Sequence, residues 1–100
     1  MRVIARNTIT EFYQKHPQTK APLEHWYQIA KAADWNTTLD VAASFTKSKT
    51  VSADRVRFEI QGGNFRMIVA FDFGRGIAFI KFLGTHAQYD AIDATTINLF

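Results

Sequence analysis

The chain has no cysteine, only two prolines and no long apolar run. Without cysteine it forms neither disulfides nor thiolate metal sites, so its 100 residues must fold on packing alone, and a reducing compartment fits. No apolar stretch reaches the roughly 20 residues of a membrane-spanning helix. The opening "MRVIARNTITEF" has an apolar run only from Val3 to Ala5, too short for a signal-peptide core. A soluble, cytoplasmic protein is the expectation. Three histidines and no cysteine give no metal-ligand spacing. The short "QGG" and "GRG" stretches stand outside any long βαβ unit, so they read as turns and not as nucleotide-binding loops. Neither metal nor cofactor is expected.

What is present divides into two halves of different period. In the first, "RVIA" is a short β-type run. Thr8 and Glu11 match the capping-box pattern and predict a helix start near residue 8, which His16-Pro17 should end. A second helix is predicted from Pro22 to about Asp34, with Leu23, Trp26, Ile29 or Ala30, and Ala33 as its buried stripe. Thr38 would cap a short turn of helix through Ala43, and "SFTKSKTVSAD" reads as a polar loop. In the second half "RVRFEI" alternates strictly, Arg55, Arg57 and Glu59 against Val56, Phe58 and Ile60. "QGGN" and "GRG" are turns separating it from "FRMIVAFDF" and "IAFIKFLGT". Thr85 is placed to cap a last helix through Ile92 or beyond. The expected fold is therefore α+β, one domain over residues 1–100. Two N-terminal helices pack on a small antiparallel sheet, a three-strand meander extended by the N-terminal strand, and a short helix follows at the C-terminal side.

With 47% hydrophobic residues a core is easily filled, so the informative residues are the charged ones. The net charge is +3. The excess lies in Lys47, Lys49, Arg55 and Arg57, opposed in that segment by Asp54 alone. Such a segment either follows a phosphate backbone or is a solvated loop and strand face. Arg66 and Lys81 each interrupt an apolar strand. Alternation puts Arg66 with Ile68, Ala70 and Asp72, and Lys81 with Ile77, Phe79 and Leu83. A cation there must be paired, reach an edge or face a wet cleft. Pairing with Asp72 or Glu59 is one reading and a phosphate clamp the other, for which the planar guanidinium is suited. In "FIKFLGTHAQYD", His86 and Tyr89 stand three apart on the first turn of the last helix, where they could meet on one face beside Lys81. Alternatively His86 caps or packs and Tyr89 is core. His16 and His25 read as surface residues.

The segments "DWNTTLDV", "DRVRFEIQGGNFRMIVAFDF" and "FIKFLGTHAQYD" make residues 2 to 93 resemble the HigB family of bacterial type II toxins, a branch of the RelE-like ribonuclease toxins. The resemblance implies cleavage of messenger RNA, usually on translating ribosomes. It also implies a HigA-like helix-turn-helix antitoxin as partner, with operator DNA reached only through that antitoxin. It assigns Arg66 to the scissile phosphate, His86 to a catalytic side chain after the last strand, and Tyr89 to the aromatic that stacks on a base or aligns the nucleophile. Lys81 would help hold the phosphate, and Lys47, Lys49, Arg55 and Arg57 would line a basic RNA cleft. Unlike RelE itself, the chain has no arginine after the last strand. In such a site the 2′-OH of the RNA attacks the adjacent phosphorus without a metal. His86 serves as acid or base, and Glu59, Asp90 and substrate-assisted transfer are candidates for the second proton. The residues alone leave two other classes open: a non-catalytic RNA- or ribosome-binding module, and an interaction protein with solvated cations.

Overall fold

The strict alternation of "RVRFEI" becomes a strand paired with the middle strand of the sheet. A computed structural model describes residues 1–100. The elements run β1 (Arg2–Ile4), α1 (Arg6–Lys15), a 3₁₀ turn (Pro17–Thr19), α2 (Lys20–Ala32), α3 (Thr38–Ser44), β2 (Ser48–Thr50), β3 (Arg55–Ile60), β4 (Phe65–Asp72), β5 (Ile77–Thr85) and α4 (His86–Asp90). They form an α+β fold around one five-stranded sheet in the order β1-β5-β4-β3-β2. β3, β4 and β5 are the antiparallel meander. β1 joins beside β5 in parallel, so the sheet is mixed. β2 pairs antiparallel with β3 inside the segment expected to be a loop. Its residues, Ser-Lys-Thr, carry no apolar alternation to betray a strand, and a polar edge with lysine is what discourages pairing with another chain.

Helix starts differ from the sequence expectation in instructive ways. α1 begins at Arg6 with Ala5 as an N-cap lacking any side-chain bond, so the Thr8–Glu11 capping box does not form; the Thr8 N–H is already bonded to the Ala5 carbonyl. α2 starts at Lys20 behind the 3₁₀ turn led by Pro17. Thr37, and not Thr38, caps α3, in a reciprocal box with Asp40. Thr85 does cap α4, with Gln88 as the reciprocal partner, but the helix stops at Asp90. The Met1 ammonium donates to the carbonyls of Ala30 and Ala33 at 3.0 and 2.7 Å, a positive charge on the C-terminal end of α2.

α1 and α2 cover one face of the sheet. Ile9, Leu23, Trp26 and Ala30 pack there against Val56, Phe58, Met67, Val69 and Ile80. Phe58 is the hub of an aromatic group, 5.5 Å from Trp26 and 5.2 Å from Phe45, both edge-on. The pairing of β4 with β5 breaks register once. Ile68 faces Phe82 while Val69 faces Ile80, which leaves Lys81 as an extra residue in a β-bulge. The bulge shifts the alternation by one. Leu83 joins Ala78 and Ile80 in the core, so it does not share a face with Lys81 as simple alternation implies. Phe82 turns to the opposite face.

Replacing Phe58, 2% exposed, with alanine should cost about 3–5 kcal/mol. That is a large share of the roughly 5–15 kcal/mol typical of a domain. Urea denaturation measures it, and a loss below about 1 kcal/mol would contradict this description of the core.

Candidate functional site

Each strand that buries its apolar residues under α1 and α2 must turn the others to the second face. There β3 presents Arg55, Arg57 and Glu59, and β4 presents Arg66, Ile68, Ala70 and Asp72. Register sets their rows. Lys49, Arg57, Ile68 and Phe82 are successive cross-strand partners. Glu59, Arg66 and Gly84 form the next row, and Arg55, Ala70 and Phe79 a third. Lys47 lies beside Glu59, whose N–H it accepts at 2.9 Å. All the cations singled out in the sequence thus belong to this face or its rim. Only α4 and the residues after it lie over it.

Arg57 and Arg66 converge on one ring. Their guanidinium carbons stand 5.9 and 6.0 Å from the centroid of Tyr89, which also packs on Phe82 at 6.2 Å. Arg66 is 8% exposed, and its Nη1 donates to Glu59 Oε1 at 2.9 Å and to the Gly63 carbonyl at 3.0 Å. Glu59 is therefore its carboxylate partner, while Asp72 faces Arg75 instead. Gly63 is required twice over. Its φ is +89°, and a Cβ would lie 2.9 Å from Arg66 Nη1 and 3.0 Å from Glu59 Oε1. The Nε atoms of both arginines are buried without a hydrogen-bond partner. Two close cations with unused donors are unfavourable for folding, and the single carboxylate and the ring quadrupole offset this only in part.

His86 opens α4. Its backbone N–H donates to the Asn64 carbonyl at 3.0 Å, tying α4 to the β3–β4 hairpin. Its ring does not meet Tyr89 as the spacing implied. Nδ1 lies 3.0 Å from Asp90 Oδ2, one full turn along, and both side chains are more than half exposed. Tyr89 instead turns inward because Phe82 and the two arginines offer it a surface. Lys81 is also not directed at Arg66. Its ammonium bonds Asn98 Oδ1 at 3.1 Å above the Phe79 ring, and its carbonyl accepts the Leu99 N–H. Arg55 Nη1 donates to the carbonyls of Ala94 and Ile97 at 3.1 and 2.8 Å, so it holds residues 94–97 against the sheet. Lys47 and Lys49 are exposed at the rim. Of the other histidines, His25 is exposed, but His16 is half-buried between Phe12 and Phe65, 4.5 and 5.2 Å away, and is not a plain surface residue. The pairing of Arg66 with Glu59 was one of the two readings the sequence offered, but the part of Gly63 in it and the docking of residues 94–99 were not visible there, since neither follows from strand or helix period.

With this geometry the comparisons with known proteins can be read. The pattern of the HigB toxins, the RelE-like toxic component of a toxin-antitoxin system, matches residues 19–92. The chain belongs to the HigB toxin family. It is similar to the mRNA interferase HigB of Escherichia coli O6:H1 (strain CFT073), 23% identical over 94 residues that make up 92% of this chain and 91% of that protein. The family match contains Arg57, Glu59, Arg66, His86 and Tyr89, and leaves out β1, α1 and the segment held by Arg55.

For this HigB-family chain the arrangement suits a polymer better than a small molecule. Three cavities, of about 120, 230 and 130 Å³, are lined by none of Arg57, Arg66, His86 and Tyr89; the first, at Trp26 and Phe58, reaches Glu59, and the second, at Phe100, reaches Lys81. The Arg57–Tyr89–Arg66 group is a cationic cluster under an aromatic ring, with Arg66 buried and Arg57 and Tyr89 half-buried. No helix is long and apolar enough to cross a membrane.

The tail over this face carries its own titration. The Asp93 carboxyl is held below its ordinary value by the Thr95 hydroxyl and then by the Thr95 N–H, with Arg55 contributing. A depressed folded value means that the carboxylate stabilises the turn above the ordinary aspartate range, and that this is lost as pH falls through the depressed value. The Thr95 amide resonance should therefore titrate with its midpoint below the ordinary 3.8. A midpoint at or above that value, followed by NMR, would contradict the turn.

Proposed function

We propose that this HigB-family chain is an endoribonuclease that cleaves messenger RNA on translating ribosomes and so stops translation and growth. The observation that carries the proposal is the convergence of Arg57 and Arg66 on Tyr89, on the sheet face that α1 and α2 leave open. Two fixed guanidiniums suit the extra negative charge of a pentacovalent phosphorus. RNA supplies the nucleophile. A base takes the proton from a 2′-OH, the O2′–P bond forms, the P–O5′ bond breaks, and the departing O5′ receives a proton. The products are a 2′,3′-cyclic phosphate and a 5′-OH, and the scheme needs no metal.

His86 is the proton carrier in this scheme. Asp90 on Nδ1 favours the tautomer that leaves the Nε2 lone pair free to take a proton. Arg66 is the principal phosphate ligand and Glu59 holds it through Nη1, which keeps Glu59 close enough to be a candidate for the second proton. Tyr89 stacks on a base or orients the 2′-OH. Either role needs the ring to tilt away from the arginines, and α4, with no buried residue, is held by few contacts. Lys49 and Lys47 extend the row of Arg57 to the rim as a track for the RNA backbone. Lys81 contributes to the phosphate only once released from Asn98, and Arg55 only at the edge of the track. A HigA-like antitoxin holds the protein inactive, operator DNA is reached through it alone, and the setting is the cytoplasm.

Induced expression with mapping of RNA ends tests the proposal. The wild-type chain should arrest growth and produce new RNA ends, and co-expressed antitoxin should restore growth. His86→Gln should slow cleavage by roughly 10²–10⁴-fold with nearly unchanged RNA affinity. Arg66→Ala should slow it by about 2–4 kcal/mol of barrier. Salt-dependent RNA binding without any new ends would instead make the chain a binding module.

A further inference from the structure

One side chain at the centre of the open face has no part in the scheme above. Gln88 arches over Gly84, the residue paired with Arg66. A Cβ built on Gly84 would lie 2.6 Å from Gln88 Oε1 and 2.8 Å from the tip of Phe82. The φ of Gly84 is not positive, so glycine stands there for space and not for backbone freedom. The missing side chain is what lets the Gln88 amide lie down on the sheet beside Phe82, and through it Tyr89.

The two halves of that amide are in different states. Oε1 accepts the Thr85 N–H at 2.8 Å, as the reciprocal member of the α4 cap. The NH2 group has no partner within the protein, and Gln88 is exposed. Glutamine usually reads adenine with both halves, its oxygen accepting from the amino group while its nitrogen donates to the ring. Here the cap occupies the oxygen. What remains is a donor, on an amide held by its oxygen over the residue that pairs with Arg66.

We propose that Gln88 selects the base beside the cleaved phosphodiester, donating from its side-chain NH2 to a keto oxygen. Guanine O6 and uracil O4 accept such a bond. The amino groups of adenine and cytosine are donors at the corresponding edge and would leave the NH2 opposed. Single-stranded RNA exposes these edges for reading once the base is unstacked, and Tyr89 is the neighbouring ring on which to place it. The proposal rests on the endoribonuclease reading and adds the base class to it.

Glutamate in place of Gln88 separates reading from capping. Glu fills the same capping position equally well, accepting the Thr85 N–H, but it has no NH2 to give. RNA ends should be mapped after induced expression of the wild-type chain, of Gln88→Glu and of Thr85→Ala. In the wild type, cuts should favour guanine and uracil at one position next to the break. Gln88→Glu should keep its melting temperature and shift that position toward adenine and cytosine, by about fivefold to tenfold in the ratio, the worth of one hydrogen bond. Thr85→Ala loosens the cap from its other side and should slow all cuts alike without changing the ratio. An unchanged ratio in an active Gln88→Glu would reduce Gln88 to a cap and overturn the inference. An equal change in Thr85→Ala would overturn it too, by tracing the preference to the packing of α4. A wild-type chain that makes no new ends fails earlier, and overturns the endoribonuclease reading itself.

Discussion

A strand that buries every second residue has to place the others somewhere, and this constraint orders the whole molecule. Val56, Phe58 and Ile60 go under α2, so Arg55, Arg57 and Glu59 cannot. β4 follows the same rule and adds Arg66 to the same side. Burial on one face thus gathers charge on the other, with no dedicated loop needed to carry it. The gathered cations repel one another, and the local devices around them answer that repulsion. Glu59 sits against Arg66, Gly63 leaves room for the pair, and Tyr89 lays its negative ring face on two guanidiniums. The unpartnered Nε atoms measure what is left unanswered.

The bulge at Lys81 is the second organising feature. A strand continuing without it would send Leu83 outward and Phe82 inward. With one residue taken out of register, Leu83 enters the core and Phe82 becomes the platform for Tyr89. The same bulge leaves the Lys81 carbonyl free to accept the Leu99 N–H, which fixes the last residues along the sheet. One inserted residue therefore sets the support of the aromatic ring and the path of the segment that crosses the face.

Much of this was legible in the sequence where a period or a cap carries it. The alternation in "RVRFEI" gave both faces of β3 correctly, and "GTHAQYD" showed its helix start through Thr85. Where the reading went astray, a tertiary fact overrode a local one. Simple alternation set Leu83 on the wrong face, because a bulge has no composition of its own. The Thr8–Glu11 box failed because β1, locked beside β5, hands the chain to α1 earlier than the pattern suggests. β2 was missed because three polar residues pair through backbone alone. His86 and Tyr89 were placed together by spacing, yet the spacing says nothing of Phe82, which draws Tyr89 inward while Asp90 draws His86 along the helix. That Lys81 and Arg55 face residues 94–98 follows from contacts across distant parts of the chain.

The parallel pairing of β1 with β5 joins residues 2–4 to residues 77–79, which is nearly the whole distance between the first strand and the last. As the chain is made, α1 and α2 emerge early with apolar stripes and no sheet to cover. The strands that will receive them come after, and β5, which both closes the ladder and seats β1, is the last. His86, Gln88 and Tyr89 follow directly behind it. On this ordering the face that carries Arg57, Arg66 and Tyr89 does not exist until nearly all of the protein does, and a chain interrupted before residue 77 has apolar stripes to hide and no such face.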